Sequence, residues 1–547
     1  MERALLPEGR AAAAPRPTAL AAAAPLPTVL ATVSALGRLL LPSLGFKASA
    51  WIGKAVALRC LGALPAPEKR YALAAYGLAD VACSCMGRTA YYCATDALTT
   101  FAAQAYGARQ HAAVGAAAQR AFAVILVGLY LPVVVLWCFA RPILVALGQP
   151  HEVASRAAAY GGARTRLLVF ALANAVLLRS LNAIRRPLPA VLANTLSAAI
   201  AAPLGWLLIV RLDLGVLGAA YDASALEASA FVVYIVGALC GRESRRCFGR
   251  PTWRALRGWR GYLRVALPAF AMLMLEQLAW ETLEFPTGLC APSPEAALSA
   301  YAILYNMIYL LEAPGIGLNG GAGAVVGNAL GAGQPLAARR AAHCALAVAI
   351  AAASATTLAL YVAARHADLF GWYRADDAST ALARSLLPEL CACVFAANLS
   401  WPLLGIVAGA GRQSASWPAV TLGYFGIGIP TGAVLAFARP GYGFRGLFQG
   451  AVLGLSLSAL LNLLLIVGHP LVPCAIDWAA AAAAAKSRLE ADAHVEPAAA
   501  AAEASASATA SEEAPPAPIN EAGRSCTPLL SPVGGNANRF RHGHGPA

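Results

Sequence analysis

The chain has 547 residues, of which 59% are hydrophobic and only 12% charged, and its formal net charge is +14. The apolar fraction lies well above the roughly 45–50% of a soluble domain, which implies an integral membrane protein with many spans. The arginines fall between apolar runs instead of striping one helix, so they read as loop topology and argue against a nucleic-acid partner.

Residues 1–37 read as a disordered cytoplasmic segment. Within it, 1–28 are rich in Ala, Pro and Arg and lack the compact apolar core of a secretory signal, although this composition also suits a plastid transit peptide. A helix across the hydrocarbon core needs about 20 mainly apolar residues. Such runs follow near 38–59, 72–95, 121–141, 157–180, 188–210 and 215–240, forming an N-lobe over 38–240. A basic connector at 241–261 leads to further runs near 262–286, 297–318, 341–364, 383–408, 417–438 and 446–470, a C-lobe over 262–470. The runs are too long and too rich in Ala and Leu for barrel strands, so the expected class is all-α with about twelve transmembrane helices. The tail 471–547 is low-complexity and expected to be disordered, with a helix around 479–490.

With a cytoplasmic N-terminus, the inner loops carry Arg109, Arg120, Arg179, Arg185, Arg186, the cluster from Arg242 to Arg260, Arg339 and Arg340. The outer loops are mixed, with Glu68, Glu152, Asp213, Glu295, Asp368, Asp376 and Asp377. The positive-inside rule therefore places both termini in the cytoplasm. Plasma membrane and vacuolar membrane fit equally.

The two sets of runs are related. Gln104-Ala105-Tyr106-Gly107-Ala108-Arg109-Gln110 returns as Asn328-Ala329-Leu330-Gly331-Ala332-Gly333-Gln334. Pro189-Ala190-Val191 returns as Pro418-Ala419-Val420, Pro203 as Pro430, and the turn with Arg211, Gly215 and Gly218 as that with Arg439, Gly443 and Gly446. Matches in one order at a near-constant offset mean a duplicated half, and in so apolar a chain that points to a secondary transporter. The duplicated halves complete one cavity within a single chain, so a functional monomer is the expectation. Glycines of the repeated turns suit positive φ and close helix approach, which makes Gln104, Gly107, Asn328, Gly331 and Gly333 the structural motif residues.

Ionisable groups within a span cost about 2.5–3.5 kcal/mol on insertion scales and mark function. The densest set lies in the seventh run, where Glu276, Glu281 and Glu284 fall at about 0°, 140° and 80° around the helix axis. A carboxylate withdrawn from water holds its proton more tightly and can exchange it for a cation, so these are the candidate proton and substrate groups. Lys47 and Lys54 share a face of the first run and are candidate cavity residues, as are Tyr305, Asn306, Tyr309 and Asn398. Arg88 lies eight residues from both Asp80 and Asp96 and is expected to pair with them. The thirteen cysteines show no C-x-x-C pair and read as packing residues; there is no metal motif, no phosphate-binding loop and no nucleophile elbow. The expectation is a non-enzyme without a cofactor, driven by an ion gradient.

These residues carry a resemblance. Gln104 to Ala108, Leu147-Gly148-Gln149, Leu267-Pro268 leading to Glu276, Trp280-Glu281, Val326 to Gly333, Gly405-Ile406-Val407, Gly409 to Gln413, and Gly423-Tyr424 to Pro430 resemble the multidrug and toxic compound extrusion (MATE) family over about 38–470, in particular its eukaryotic branch. The resemblance implies two six-helix lobes in a V around a cavity that opens alternately to each side. It also implies proton-coupled export of organic cations, drugs or secondary metabolites, with Glu276 and Glu281 binding substrate and proton. The chain departs from the family pattern at Val325 and Ala408, at Ala397 where an acid is usual, and in the spacing after Pro314. The missing acid at Ala397 and the missing arginine at Val325 motivate one alternative, a receptor that keeps the fold without coupled flux; a lipid-precursor flippase of the same superfamily, for which more helices and a more basic cavity are expected, is another.

Overall fold

A computed structural model describes residues 29–491 apart from 66–67, 147, 249–252, 254–256, 291–292, 374–375, 440 and 469–474. The expectations for residues 1–28 and for the tail beyond 491 lie outside the described residues, as do the side chains of Lys47 and Glu284. All twelve expected runs fall in helix as far as they are described, and no strand occurs among the described residues.

In chain order, α1 is Val29–Gly62 and α2 runs from Glu68–Cys83 through a widened π turn, Ser84–Thr89, into Ala90–Ala94 and Asp96–Gly107. Then come α3 (His111–Cys138), α4 (His151–Leu167 and Val169–Ala183), α5 (Leu188–Arg211) and α6 (Gly215–Leu239). The second half comprises α7 (Trp259–Thr287), α8 (Pro294–Leu311 and Ala313–Gly331), α9 (Pro335–His366), α10 (Leu387–Ala410, preceded by Asp377–Ser385), α11 (Gln413–Ala438) and α12 (Gly443–Val467). Nine described helices are long and apolar enough to cross a membrane, or ten if the α4 pair, bent by 42°, forms one span. The second run is helical and carries Asp80, Arg88 and Asp96 within it.

The duplication is visible in the backbone. After α2, the N–H groups of Ala108, Arg109 and Gln110 donate to the carbonyls of Gln104, Tyr106 and Ala105, each at 3.0 Å. After α8, those of Ala332, Gly333 and Gln334 donate to Asn328, Leu330 and Ala329 at 3.0, 2.9 and 2.9 Å. The left-handed residue of the pair is Arg109 (φ 62°) in one half and Gly333 (φ 71°) in the other. The turns also pack reciprocally. A Cβ on Gly107 would strike the Asn328 carbonyl and one on Gly331 the Gln104 carbonyl, with the carbonyl carbon at 2.7 Å in both cases. Each motif glycine thus admits the backbone of the other motif, which closes the arginine-rich end of the molecule along the seam between the halves.

Two of the arginines assigned to loops are corrected. Arg120 and Arg179 are only 4% and 3% exposed and sit inside α3 and α4. Arg179 forms an ion pair with Asp96 at 3.3 Å and donates from Nη1 to Asn319 Oδ1 at 3.0 Å, and its guanidinium lies 4.3 Å from the centre of the Tyr92 ring. Asp96 belongs to α2 and Asn319 to α8, so this buried charge ties both halves together deep in the molecule.

Candidate functional site

The functional cavity grows from a break in α8. Pro314 has no N–H and ends the first α8 segment near Leu311. In an unbroken helix the Leu311 carbonyl would accept from the Gly315 N–H; here Asn398 intervenes, its Nδ2 donating to Leu311 O at 2.9 Å and its Oδ1 accepting from Gly315 N at 2.8 Å. Asn398 is therefore corrected from a cavity residue to the splint of this break, fully buried and saturated. The break points Glu312 inward, where Trp401 Nε1 donates to its Oε2 at 3.2 Å.

Facing it across a cavity of about 120 Å³ is Glu276 of α7. Glu276 is 4% exposed; Tyr424 Oη donates to its Oε1 at 3.3 Å, and its Oε2 has no hydrogen-bond partner among the described residues. Gln277 and Trp280 line the cavity from the same helix, Tyr305, Tyr309 and Glu312 from α8, Thr89 and Tyr92 from α2. Aromatic faces around carboxylates form a surface suited to an organic cation, which gains both Coulomb and cation–π attraction.

Glu281 of α7 is not among the residues that line this cavity. Glu281 turns toward α2, where Cys85 Sγ lies 3.6 Å from its Oε1, as the wide angle between the two residues around the helix permits. Asn306 is corrected too: it is exposed, with Nδ2 donating to Ala302 O at 2.9 Å on the outer side of α8. Tyr305 and Tyr309, one turn apart, face inward. Ala397, where an acid was expected from the resemblance, is buried in the apolar core, as is Val325.

A second cavity of about 140 Å³ lies in the first half. Lys54 borders it and pairs with Asp80 at 3.0 Å, and Tyr160 Oη donates to Asp80 at 2.9 Å. Arg164 forms a two-point bond with Glu227, and Asp222 is 2% exposed. The expected pairing of Arg88 with Asp80 and Asp96 is thus corrected. Lys54 and Arg179 take those acids, and Arg88, carried on the π turn, borders both cavities. Sequence reasoning overlooked Tyr424 as the partner of Glu276; only its place in the second-half motif after Gly423 offered a signal.

The MatE protein-family model matches residues 69–207 and 268–434. Protein DETOXIFICATION 17 of Arabidopsis thaliana is 29% identical over 408 residues, 73% of this chain and 82% of its own length. Protein DETOXIFICATION 16 of the same plant is 28% identical over 407 residues, 72% of this chain and 79% of its own length. The crystal structure of the eukaryotic MATE transporter AtDTX14 superposes with a TM-score of 0.76 at 23% identity, covering 84% of this chain and 99% of that one. A multidrug resistance MATE family transporter in an outward-facing conformation gives 0.70 at 17% identity, covering 80% and 95%.

Proposed function

The chain belongs to the MATE family of membrane transporters and is not an enzyme, and from that premise we propose that it is a proton-coupled antiporter exporting organic cations by alternating access, with Glu276 as the coupling carboxylate. The observation that carries this reading is the isolation of Glu276, a buried carboxylate that among the described residues has one hydrogen-bond partner, a neutral hydroxyl, and a second oxygen with none. A buried carboxylate is neutralised by a proton or by a cation. Either can enter the aromatic cavity, and mutual exclusion of the two is the elementary requirement of antiport.

Glu312 borders the same space, and its carboxylate adds a negative potential that draws a proton and an organic cation alike. Gln277, Tyr305 and Tyr309 offer hydrogen-bonding and aromatic contacts that set orientation without adding charge. The seam of motif turns at the arginine-rich end supplies a closed face, and parting of that seam is the motion that alternating access requires.

The test is flux of a fluorescent organic cation in proteoliposomes under an imposed pH gradient. Wild type is expected to move the probe in proportion to the gradient, and Glu276→Gln, which is isosteric but cannot lose a proton, is expected to abolish the gradient-driven component. Binding of the probe without flux in folded wild-type protein would replace antiport by the receptor reading, and movement of lipid alone by the flippase reading.

A further inference from the structure

Beyond α12, residues 478–491 form a helix, α13, that is amphipathic in an unusually complete way for a low-complexity segment. Ala481, Ala485 and Leu489 recur every fourth residue at 4%, 0% and 8% exposure, while Lys486 and Glu490 stand out on the other side. Asp477 caps the helix, its Oδ1 accepting from the N–H groups of Ala479 and Ala480 at 2.9 and 3.1 Å. The Ile476 N–H donates to Leu465 O at 2.9 Å and anchors the entry to α12.

The buried face of α13 crosses the seam. Ile476, Ala481 and Ala485 join the hydrophobic cluster of the second half, whereas Leu489 joins the cluster built by α2, α3 and α4 of the first half together with part of α7. Between them Arg488 reaches into the seam, donating from Nη1 to Gln104 Oε1 at 2.6 Å. Gln104 in turn donates from Nε2 to the Gly409 carbonyl of α10 at 3.1 Å. The guanidinium also lies against Gly411, where a Cβ would come within 2.7 Å of Nη2. One arginine therefore touches the α2 turn and the α10 turn at once. Partial burial of its charge, with no carboxylate paired to it among the described residues, depresses its basicity.

We propose that α13 is an intramolecular strap that holds the arginine-rich face of the transporter closed, with Arg488 as its pin, and that the cavity opens to that face only when the strap is released. The proposal rests on the alternating-access reading for its consequence, but the docking and its coupling to the seam can be tested without substrate or gradient. Arg488 acts here as a positioning residue: it touches no cavity group and works through Gln104.

Hydrogen exchange of the full chain in lipid nanodiscs decides the matter, comparing wild type with Arg488→Ala, Arg488→Lys and Leu489→Ser. In Arg488→Ala and Leu489→Ser, exchange over 478–491 is expected to rise by about tenfold, and exchange over the turns 104–110 and 407–413 to rise with it. Arg488→Lys, which keeps a donor and the charge, is expected to fall between wild type and Arg488→Ala, which separates loss of the pin from general misfolding. Acceleration confined to 478–491, with both turns as protected as in wild type, would overturn the proposal, as would unchanged protection of α13 in Arg488→Ala. Absence of gradient-driven cation flux in the wild-type protein, with the exchange pattern as expected, would instead count against the antiport reading and leave the strap standing.

Discussion

Gly331→Ala puts the reciprocal seam to a quantitative test. The added methyl would strike the Gln104 carbonyl, with the carbonyl carbon at 2.7 Å and Cα at 2.8 Å. These are backbone atoms, so no rotamer change relieves the clash, and α2 and α8 have to separate by about 1 Å to restore ordinary contact. Overpacking against a rigid wall costs about 1–3 kcal/mol. Separation also strains the bond from Gln104 to Gly409 and the one from Arg488, each worth about 1 kcal/mol, so a loss of about 2–4 kcal/mol is expected. Gly107→Ala meets the equivalent atoms of Asn328 and should lose a similar amount. The double variant should lose less than the sum, because one separation relieves both clashes. Thermal midpoints of purified protein in detergent measure this, with Gly333→Ala as a control whose methyl enters open space and costs only the strain of its φ of 71°. Strict additivity, or a Gly331→Ala midpoint equal to that of wild type, would refute the reciprocal packing.

Asn398→Leu removes both partners of the α8 break and leaves the Leu311 carbonyl and the Gly315 N–H buried and unbonded, so the thermal midpoint should fall by the equivalent of about 2–4 kcal/mol. Arg109→Gly relaxes a left-handed residue at the position where the second half already has Gly333, and should raise stability by about 1 kcal/mol in the same assay. Tyr424→Phe removes the hydroxyl donor to Glu276 and keeps the ring; gradient-driven flux in the proteoliposome assay should fall below that of wild type, and unchanged flux would count against a role for this bond. In the loop between α9 and α10, the Gly371 N–H and Arg384 hold the Asp368 carboxyl below its usual range. A depressed acid contributes stability above its unfolded pKa of about 3.9 and loses it as pH falls through the lower folded value. Wild type and Asp368→Asn should therefore differ in thermal midpoint at pH 6 and converge on acidification below that range; a difference that persists at pH 2 would contradict the assignment.

Much of the fold was legible because membrane helices announce themselves by length and apolarity, and because the Gln104 and Asn328 motifs repeat the same turn. The boundaries blurred where charge enters a span. Arg120 and Arg179 look like loop residues by composition, and only the fold supplies the Asp96, Asn319 and Tyr92 that make Arg179 tolerable inside. The site was legible in its acids but less so in its geometry. Helical angles put Glu276 and Glu281 on one broad side of α7, but about 140° is wide enough for them to face different neighbours. The roles of Asn306 and Asn398 could not be read from residue type, since an amide serves equally as cavity lining or as a splint for a broken helix. Tyr424 and Arg488 were hidden for a different reason: each acts through a residue more than a hundred positions away, and sequence periodicity carries no information about such pairs.

The duplication also explains why the proposed chemistry is one-sided. Both halves enclose a cavity of similar size, but the first is lined by Lys54, Arg88 and Arg164 against Asp80, Asp222 and Glu227, so its charges balance. The second is lined by Glu276 and Glu312 with Arg88 as its only bordering cation among the described residues, and that arginine is shared between the two cavities. Opposite charges in equal number offset one another across the first cavity, whereas an excess of carboxylate is relieved by a proton or an organic cation. In the proposed antiport, parting of the symmetric seam would treat both halves alike, and the asymmetric charge would decide which cavity that motion serves. Moving the imbalance should therefore move the function: Glu276→Gln together with Lys54→Met leaves the second cavity with one acid fewer and the first with one base fewer. If charge excess is the governing variable, this double variant should lose gradient-driven flux through the second cavity yet acquire measurable cation binding in the first, seen as protection of α1 and α2 in hydrogen exchange. Binding that stays absent in a folded double variant would mean that the shape of the second cavity, with Trp280, Tyr305 and Tyr309, matters more than its charge.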